Sequence, residues 1–188
     1  MRLAWGITGS GDKLRECLEV MKKMKEKYGD YLIIEVFYSR AGFQVAKIYN
    51  IVEDVSSITD KQWIEENSNM PFLSGRLQMK HFDVFIIAPA TSNTVAKLAV
   101  GIADTLLTNG ALQAVKGYMV VYVMPSDFRA GETTTILPNG KIMKLKIRIE
   151  DVENVRKLQA MEGFHVFEKP IKICEIIGKN MGESENRL

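Results

Sequence analysis

The chain has 188 residues and a mass of 21.2 kDa, and its 46% hydrophobic and 26% charged residues are typical of one soluble globular domain rather than a disordered or fibrous protein. A formal charge of +2 is too small for a protein that coats nucleic acid, and two cysteines are too few for an iron–sulfur cluster or a Cys₄ zinc site. Neither a signal peptide nor a run long enough to cross a membrane is visible, so we expect a cytoplasmic protein with no metal, no nucleic-acid partner and no membrane contact.

The first half of the chain alternates strand and helix patterns. An apolar strand over Leu3–Ile7 leads into the Gly-rich turn Thr8–Gly11, and Asp12 is predicted to cap the helix that follows. A second, nearly all-apolar strand is predicted over Tyr31–Tyr38, and a helix over Phe43–Tyr49. Residues 50–72 show little periodicity, apart from a short helix that could start over Ile58–Trp63.

Two more buried strands complete the alternating part. The third covers Val84–Ala88 and is broken by Pro89, and one helix is predicted from Ser92 or Asn93 through Leu106. The fourth covers Tyr118–Met124. Four buried strands with intervening helices predict an α/β fold: a Rossmann-like (flavodoxin-like) parallel sheet with helices on both faces.

The last third has a different pattern. Asn139-Gly140 is a strong hairpin signal, and residues 141–149 alternate as a half-buried strand whose outer face carries Lys144, Lys146 and Arg148. A helix over Asp151–Met161, a short strand around Val166 and a helix over Ile171–Ile177 follow. We predict a single domain over residues 1–177, with this C-terminal hairpin and helix as an extension, and a disordered tail over residues 178–188.

The polar turns of this chain all follow strands, at the edge of a parallel sheet where ligands bind. The turn Gly6–Gly11 lacks both the GxxxxGK[ST] and the GxGxxG spacing, so by itself it is equally consistent with a plain strand–helix connection. Thr91-Ser92-Asn93-Thr94 contains more hydroxyl and amide groups than one helix cap needs. This surplus favours a polar ligand held by side chains and by the N–H groups of the helix start.

The stretch APATSNTVAKLAVGIADTLLTNG resembles the signature of the FMN-binding flavoprotein superfamily, the homo-oligomeric flavin-containing cysteine decarboxylases. GITGS at Gly6–Ser10 and Ser39-Arg40-Ala41 after the second strand extend the resemblance over residues 1–125. It implies FMN as cofactor and a homo-oligomer, a trimer or a multiple of trimers. The cofactor-binding positions that it implies, with the phosphate at Gly9, Ser10 and Ser39, are Gly9, Ser10, Ser39, Ala41, Thr91, Ser92, Asn93, Thr94, Pro125 and Ser126.

Three departures from this pattern bear on function. Decarboxylating members carry a catalytic His before the AP motif, where this chain has Ser74-Gly75-Arg76-Leu77, and Pro-Ala-Met-Asn where it has Pro125-Ser126-Asp127-Phe128. Prenyl-transferring relatives carry an Arg soon after the fourth strand, but Arg129 comes later. His81 and His165 are expected to be structural, so we assign no catalytic side chain.

The C-terminal block from Leu137 to Pro170 resembles the archaeal branch, the archaeoflavoproteins and dihydromethanopterin reductases. The resemblance implies an FMN-dependent oxidoreductase or electron-transfer flavoprotein whose partner is a pterin substrate or ferredoxin. The alternatives are a flavin-dependent decarboxylase or prenyl-FMN-type transferase, and a non-catalytic FMN carrier or sensor. The basic strand face is either a solvated surface or a docking patch for an acidic carrier such as ferredoxin.

Overall fold

The computed structural model describes residues 1–182, in which strands and helices alternate for most of the chain. The strands are β1 (Arg2–Ile7), β2 (Ile33–Tyr38), β3 (Lys61–Ile64), β4 (Val84–Ala90), β5 (Val121–Pro125), β6 (Gly131–Ile136), β7 (Ile142–Ile147) and β8 (Phe164–Val166). The α-helices are α1 (Leu14–Tyr28), α2 (Arg40–Ile48), α3 (Val52–Ile58), α4 (Leu73–Gln78), α5 (Ser92–Val100), α6 (Leu106–Lys116), α7 (Ile149–Gln159) and α8 (Lys172–Asn180). None of the helices described is long and apolar enough to cross a membrane.

Six of these strands form one parallel sheet in the order β3-β2-β1-β4-β5-β8. If β8 is counted as the sixth strand of this sheet, the order becomes 3-2-1-4-5-6, which is the order of the doubly wound Rossmann fold. The predicted fold class is therefore confirmed. The chain winds outward from β1 in one direction and from β4 in the other. The switch point therefore lies between β1 and β4, and in such sheets ligands bind beyond the carboxyl ends of the strands there.

Both faces of the sheet are covered by helices. In β1, the side chains of Leu3, Trp5 and Ile7 pack in the core that also contains α1, α2, α3 and α8, whereas Ala4 packs in the core of α4, α5, α6 and α7. Gly6 shares the second face, where a Cβ would come within 2.9 Å of the Leu107 side chain. The small residues of β1 thus let α6 approach the sheet closely.

The least periodic region contains elements that the sequence did not reveal. The short helix predicted to start over Ile58–Trp63 is wrong: α3 ends at Ile58, and Lys61–Ile64 is the edge strand β3. The Trp63 ring stacks on Phe37 with centroids 6.3 Å apart, and its indole N–H donates to Glu35 at 2.8 Å. These contacts with β2 stabilise a strand too short to show a pattern of its own.

The helix predicted from Ser92 through Leu106 is two helices. Gly101 ends α5 in the left-handed conformation at φ +78°, and the N–H of Ile102 donates to the carbonyl of Lys97 at 2.8 Å. This is the hydrogen-bond pattern of a Schellman cap. Ile102, which would lie on the apolar face of one continuous helix, is 45% exposed after this break.

The C-terminal extension is confirmed in outline and corrected in detail. β6 and β7 form the antiparallel hairpin, with Gly140 at φ +80° in its turn. However, the half-buried strand predicted there is wrong, because apolar residues are exposed on both faces of β7: Ile142 on one, Met143 and Leu145 on the other. The predicted disordered tail is helical over residues 178–180, where α8 continues, and its residues 183–188 lie outside those described.

Candidate functional site

The candidate site lies at the carboxyl edge of the sheet, where the turns after β1, β2, β4 and β5 meet. Buried Thr8 joins the first of these turns to the third. Its hydroxyl donates to the carbonyl of Pro89 at 2.8 Å and accepts from the N–H of Thr91 at 2.9 Å. The switch point is therefore tied together by a residue that the sequence did not single out.

The turn after β1 presents unused backbone donors. Within residues 1–182, the N–H groups of Gly9, Ser10 and Gly11 donate no hydrogen bond. A Cβ on Gly9 would lie 2.8 Å from the Cβ of Ala41, so only glycine allows this turn to approach the first turn of α2. A row of free N–H groups is an anion-binding arrangement, suited to one phosphate.

The start of α1 differs from the prediction for Asp12. The capping position is Lys13, a non-glycine residue at φ +57°, and no side chain caps the helix. The Asp12 carboxylate therefore does not cap α1. Burial raises the pKa of Asp12, and the carboxylates of Glu16 and Asp127 raise it further, while Lys13 opposes them.

Ser39 caps α2 at the second turn. Its oxygen accepts from the N–H of Gly42 at 2.9 Å, which leaves the hydroxyl proton available to a ligand. The backbone N–H of Arg40 is already used, because Glu65 accepts it at 2.9 Å and accepts the N–H of Leu106 with its other oxygen at 2.7 Å. Glu65 thus binds the first turns of both α2 and α6. The sequence did not predict this contact, because Glu65 directly follows β3 and β3 was not predicted.

The polar cluster at the start of α5 divides into capping and non-capping residues. Thr91 caps the helix, since its oxygen accepts from the N–H of Thr94 at 3.2 Å and the two hydroxyls lie 3.0 Å apart. The Ser92 hydroxyl donates to Asp127. Asn93 is exposed, and its side chain makes no hydrogen bond within the part of the chain described.

The end of β5 closes the other side of the crevice. Buried Pro125 lies opposite Ala90, and the N–H of Ser126 donates to the carbonyl of Ala90 at 2.9 Å. The hydroxyls of Ser126 and Ser10 are 2.6 Å apart. The structure therefore brings all ten predicted cofactor-binding residues to one edge, with Ala41 and Asn93 exposed at its surface.

Of the residues considered for catalysis from the sequence, Arg129 lies in the turn after β5 and is paired, whereas the two histidines lie outside the turns that form the site. The Arg129 guanidinium is exposed and makes two hydrogen bonds to Glu168, at 2.6 and 2.7 Å. His81 is exposed just before β4, at the amino edge of the sheet, and the His165 ring packs against Tyr122 with centroids 5.3 Å apart. Asp127 and Glu65 are the acidic residues at the carboxyl edge that sequence reasoning missed.

Two clefts differ in their relation to this edge. A cleft of about 340 Å³ adjoins the turn after β1, between Lys13, Arg15 and Tyr49 on one side and residues 134–138 of the hairpin on the other. A larger cleft of about 700 Å³ lies at the amino edge, lined by Lys80, Asp83 and Tyr118 among others, and contains none of the predicted site residues. The smaller cleft reaches the turn after β1 at Gly11, one of the three residues with a free N–H group.

Comparison with known proteins identifies relatives over nearly the whole chain. An uncharacterized protein of Methanocaldococcus jannaschii is 45% identical over 181 residues, which cover 96% of each chain. A dihydromethanopterin reductase (acceptor) of the same organism is 32% identical and matches 93% of this chain and 95% of its own. The crystal structure of Burkholderia xenovorans DmrB in complex with FMN, described as a cubic protein cage for redox transfer, superposes with a TM-score of 0.81 at 27% identity, covering 96% of this chain and 95% of that one. The model of the Flavoprotein family matches residues 1–186, and the chain therefore belongs to this family.

Proposed function

We propose that this protein is an FMN-dependent oxidoreductase. The observation that carries the proposal is the row of free N–H groups at Gly9, Ser10 and Gly11, placed at the switch point of a Rossmann-like sheet in a member of the Flavoprotein family. These groups, with the hydroxyls of Ser10 and Ser39, fit the single terminal phosphate of FMN.

The charges around the crevice favour a cofactor with one phosphate group. At the start of α2, the N–H of Arg40 already donates to the Glu65 carboxylate. At the start of α5, the hydroxyl of Ser92 already donates to the Asp127 carboxylate. A second phosphate at either helix start would therefore meet a carboxylate. This argues for FMN over FAD or a nicotinamide dinucleotide.

The roles of the residues follow from their positions. The turn after β1 and Ser39 would hold the phosphate, and Thr91, Ser92, Asn93 and Thr94, with Pro125 and Ser126, would line the ribityl chain and the ring. When bound, FMN supplies the electron-transfer chemistry, and the protein supplies binding, orientation and local charge. No catalytic side chain is required, and no His lies at this edge among the residues described.

A reduced pterin is the substrate that the relatives favour, since one of them is a dihydromethanopterin reductase. We propose an acidic electron carrier such as ferredoxin as the electron donor. Lys141, Lys144 and Lys146 are exposed on the hairpin and make no ion pair within residues 1–182, whereas Arg148 is bound to Asp151 at 2.6 Å. We also propose that the protein is cytoplasmic and that it forms a homo-oligomer built from trimers. The apolar side chains exposed on both faces of the hairpin support the oligomer, because such surfaces are usually covered.

Titration of the purified protein with FMN and FAD tests the cofactor. We expect a yellow protein that binds one FMN per chain in preference to FAD. Ser10→Asp puts a carboxylate beside the phosphate position and should weaken FMN binding at least about tenfold, because like charges repel at short range. Ser56→Asp adds the same charge on the exposed side of α3 and should leave binding unchanged. A wild-type protein that ignores FMN would contradict the proposal.

Anaerobic assays test the reaction. FMN-loaded protein reduced by dithionite should be reoxidised by a dihydropterin, and ferredoxin should reduce it faster at low salt than at high salt. Lys144→Glu combined with Lys146→Glu should slow reduction by ferredoxin and leave reduction by dithionite unchanged. Protein that binds FMN but exchanges electrons with none of these partners would be a carrier or sensor rather than a reductase.

A further inference from the structure

The Ser92–Asp127 pair determines which hydrogen-bonding groups face the crevice at the start of α5. The Ser92 hydroxyl has one proton and donates it to the Asp127 carboxylate. Its oxygen therefore offers only lone pairs to a ligand, and the carboxylate is itself an acceptor. A ligand at this position is best satisfied by N–H or O–H donors of its own.

The charge at this position is not neutralised nearby. No Lys or Arg of the described residues lies within ion-pair distance of Asp127. The Arg148 guanidinium is hydrogen-bonded to Asp151, which is the main cause of its raised pKa, and Asp127 adds a smaller contribution. Burial raises the pKa of Asp12, and the negative charges of Glu16 and Asp127 add to this effect.

We propose that Asp127 is a specificity-determining residue, which makes the ligand position beside α5 select uncharged groups carrying N–H or O–H donors and reject carboxylates. This inference rests on the proposed FMN site and names the substrate class that the site accepts next to the cofactor.

A matched pair of probes tests the inference. Nicotinamide and nicotinate have the same ring and nearly the same size, but one carries an amide donor and the other a carboxylate. Their dissociation constants for FMN-loaded protein are measured from the change in flavin absorbance. We expect wild-type protein to bind nicotinamide about tenfold more tightly than nicotinate, since two carboxylates at short range repel. Asp127→Asn should bring the ratio close to one.

A control variant separates the charge at position 127 from charge elsewhere on the protein. Glu132→Gln removes an exposed carboxylate from the hairpin and should retain the preference for nicotinamide. If Asp127→Asn does not fold, the two dissociation constants of wild-type protein are measured at low and at high salt instead. Their ratio should fall toward one at high salt, because salt screens the repulsion between carboxylates.

The outcomes distinguish this inference from the function on which it rests. Wild-type protein that binds nicotinate as tightly as nicotinamide, or binds neither, would overturn the inference while FMN binding stands. An Asp127→Asn variant that prefers nicotinamide over nicotinate as strongly as wild-type protein does would also overturn the inference. Failure of wild-type protein to bind FMN would overturn the proposed function, and this inference with it.

Discussion

Glu35 is a buried carboxylate in the middle of β2, in a stretch whose sequence is otherwise apolar. It is 1% exposed and accepts two hydrogen bonds from Arg76, at 2.7 and 2.9 Å, one from Trp63 and one from Arg2. Burial alone would raise its pKa, but the hydrogen bonds from Arg76 and Trp63 outweigh burial and lower the pKa to about 2. Arg76 lies in α4, in the stretch Ser74–Leu77 that departs from the decarboxylase pattern, and its guanidinium binds this buried carboxylate.

Glu35→Gln should lower the free energy of unfolding at neutral pH by about 3 kcal/mol, because the Arg76 guanidinium loses its buried counter-charge. A lowered pKa stabilises the fold above the ordinary value of 4.5, and that stability is lost as the pH falls toward 2. Urea unfolding at neutral pH and at acid pH measures both effects. The variant should be less sensitive to acid than wild-type protein, and an equally steep acid loss would contradict this account.

At the scale of elements, the break between α5 and α6 depends on one backbone conformation. Gly101 has open space where a Cβ would be, so a side chain there meets no neighbour and strain comes only from φ +78°. Thr105 then starts α6 with a reciprocal cap, in which its side chain and that of Thr108 each accept the other's backbone N–H, at 3.2 and 3.1 Å.

Gly101→Ala should therefore destabilise the protein by about 1 kcal/mol, the cost of the left-handed conformation for a residue with a Cβ. Gly101→Asn should cost less, because asparagine tolerates this conformation better than alanine does. Thermal or urea unfolding of the two variants measures the difference. Equal stability of wild type and Gly101→Ala would show that the α5–α6 connection does not need the cap.

At the scale of the whole molecule, the hairpin of β6 and β7 is held to the domain by few contacts. The Tyr49 hydroxyl donates to the carbonyl of Ile136 at 3.2 Å, beside the cleft next to the candidate site. Ile136 and Ile142 are opposite each other in the hairpin, 65% and 73% exposed. A lone two-stranded hairpin with such surfaces is marginally stable in water and needs a further surface to cover it.

We expect light scattering after gel filtration to give a mass that is a multiple of the trimer. Ile142→Glu combined with Leu145→Glu should shift the protein to smaller species, because a charge is costly at a buried apolar contact. Thr134→Glu, on the exposed part of β6, serves as the charge control. A wild-type monomer would contradict the proposed oligomer, and an unchanged mass in the double variant would place the contact elsewhere.

Much of the fold and of the candidate site could be predicted from local signals. Apolar runs identified β1, β2, β4 and β5, the Asn139-Gly140 turn identified the hairpin, and the polar turns after those strands identified the edge where the ten candidate residues meet. These signals depend on residues close together in the chain, or on the rule that parallel strands end at one edge. The site's general location therefore followed from the sequence.

The remaining features depend on contacts between distant parts of the chain, which the sequence alone does not display. Trp63 makes β3 a strand by packing on Phe37, and Glu65 can bind two helix starts only because β3 places it between them. Glu35 is tolerated in an apolar strand because Arg76, 41 residues away, reaches it. Asp127 accepts a hydrogen bond from Ser92, which lies 35 residues earlier at the start of α5. The sequence determined the central strands of the sheet and the edge that carries the candidate site, whereas the tertiary structure decided which charges meet there, because pairing across such distances depends on how the elements pack.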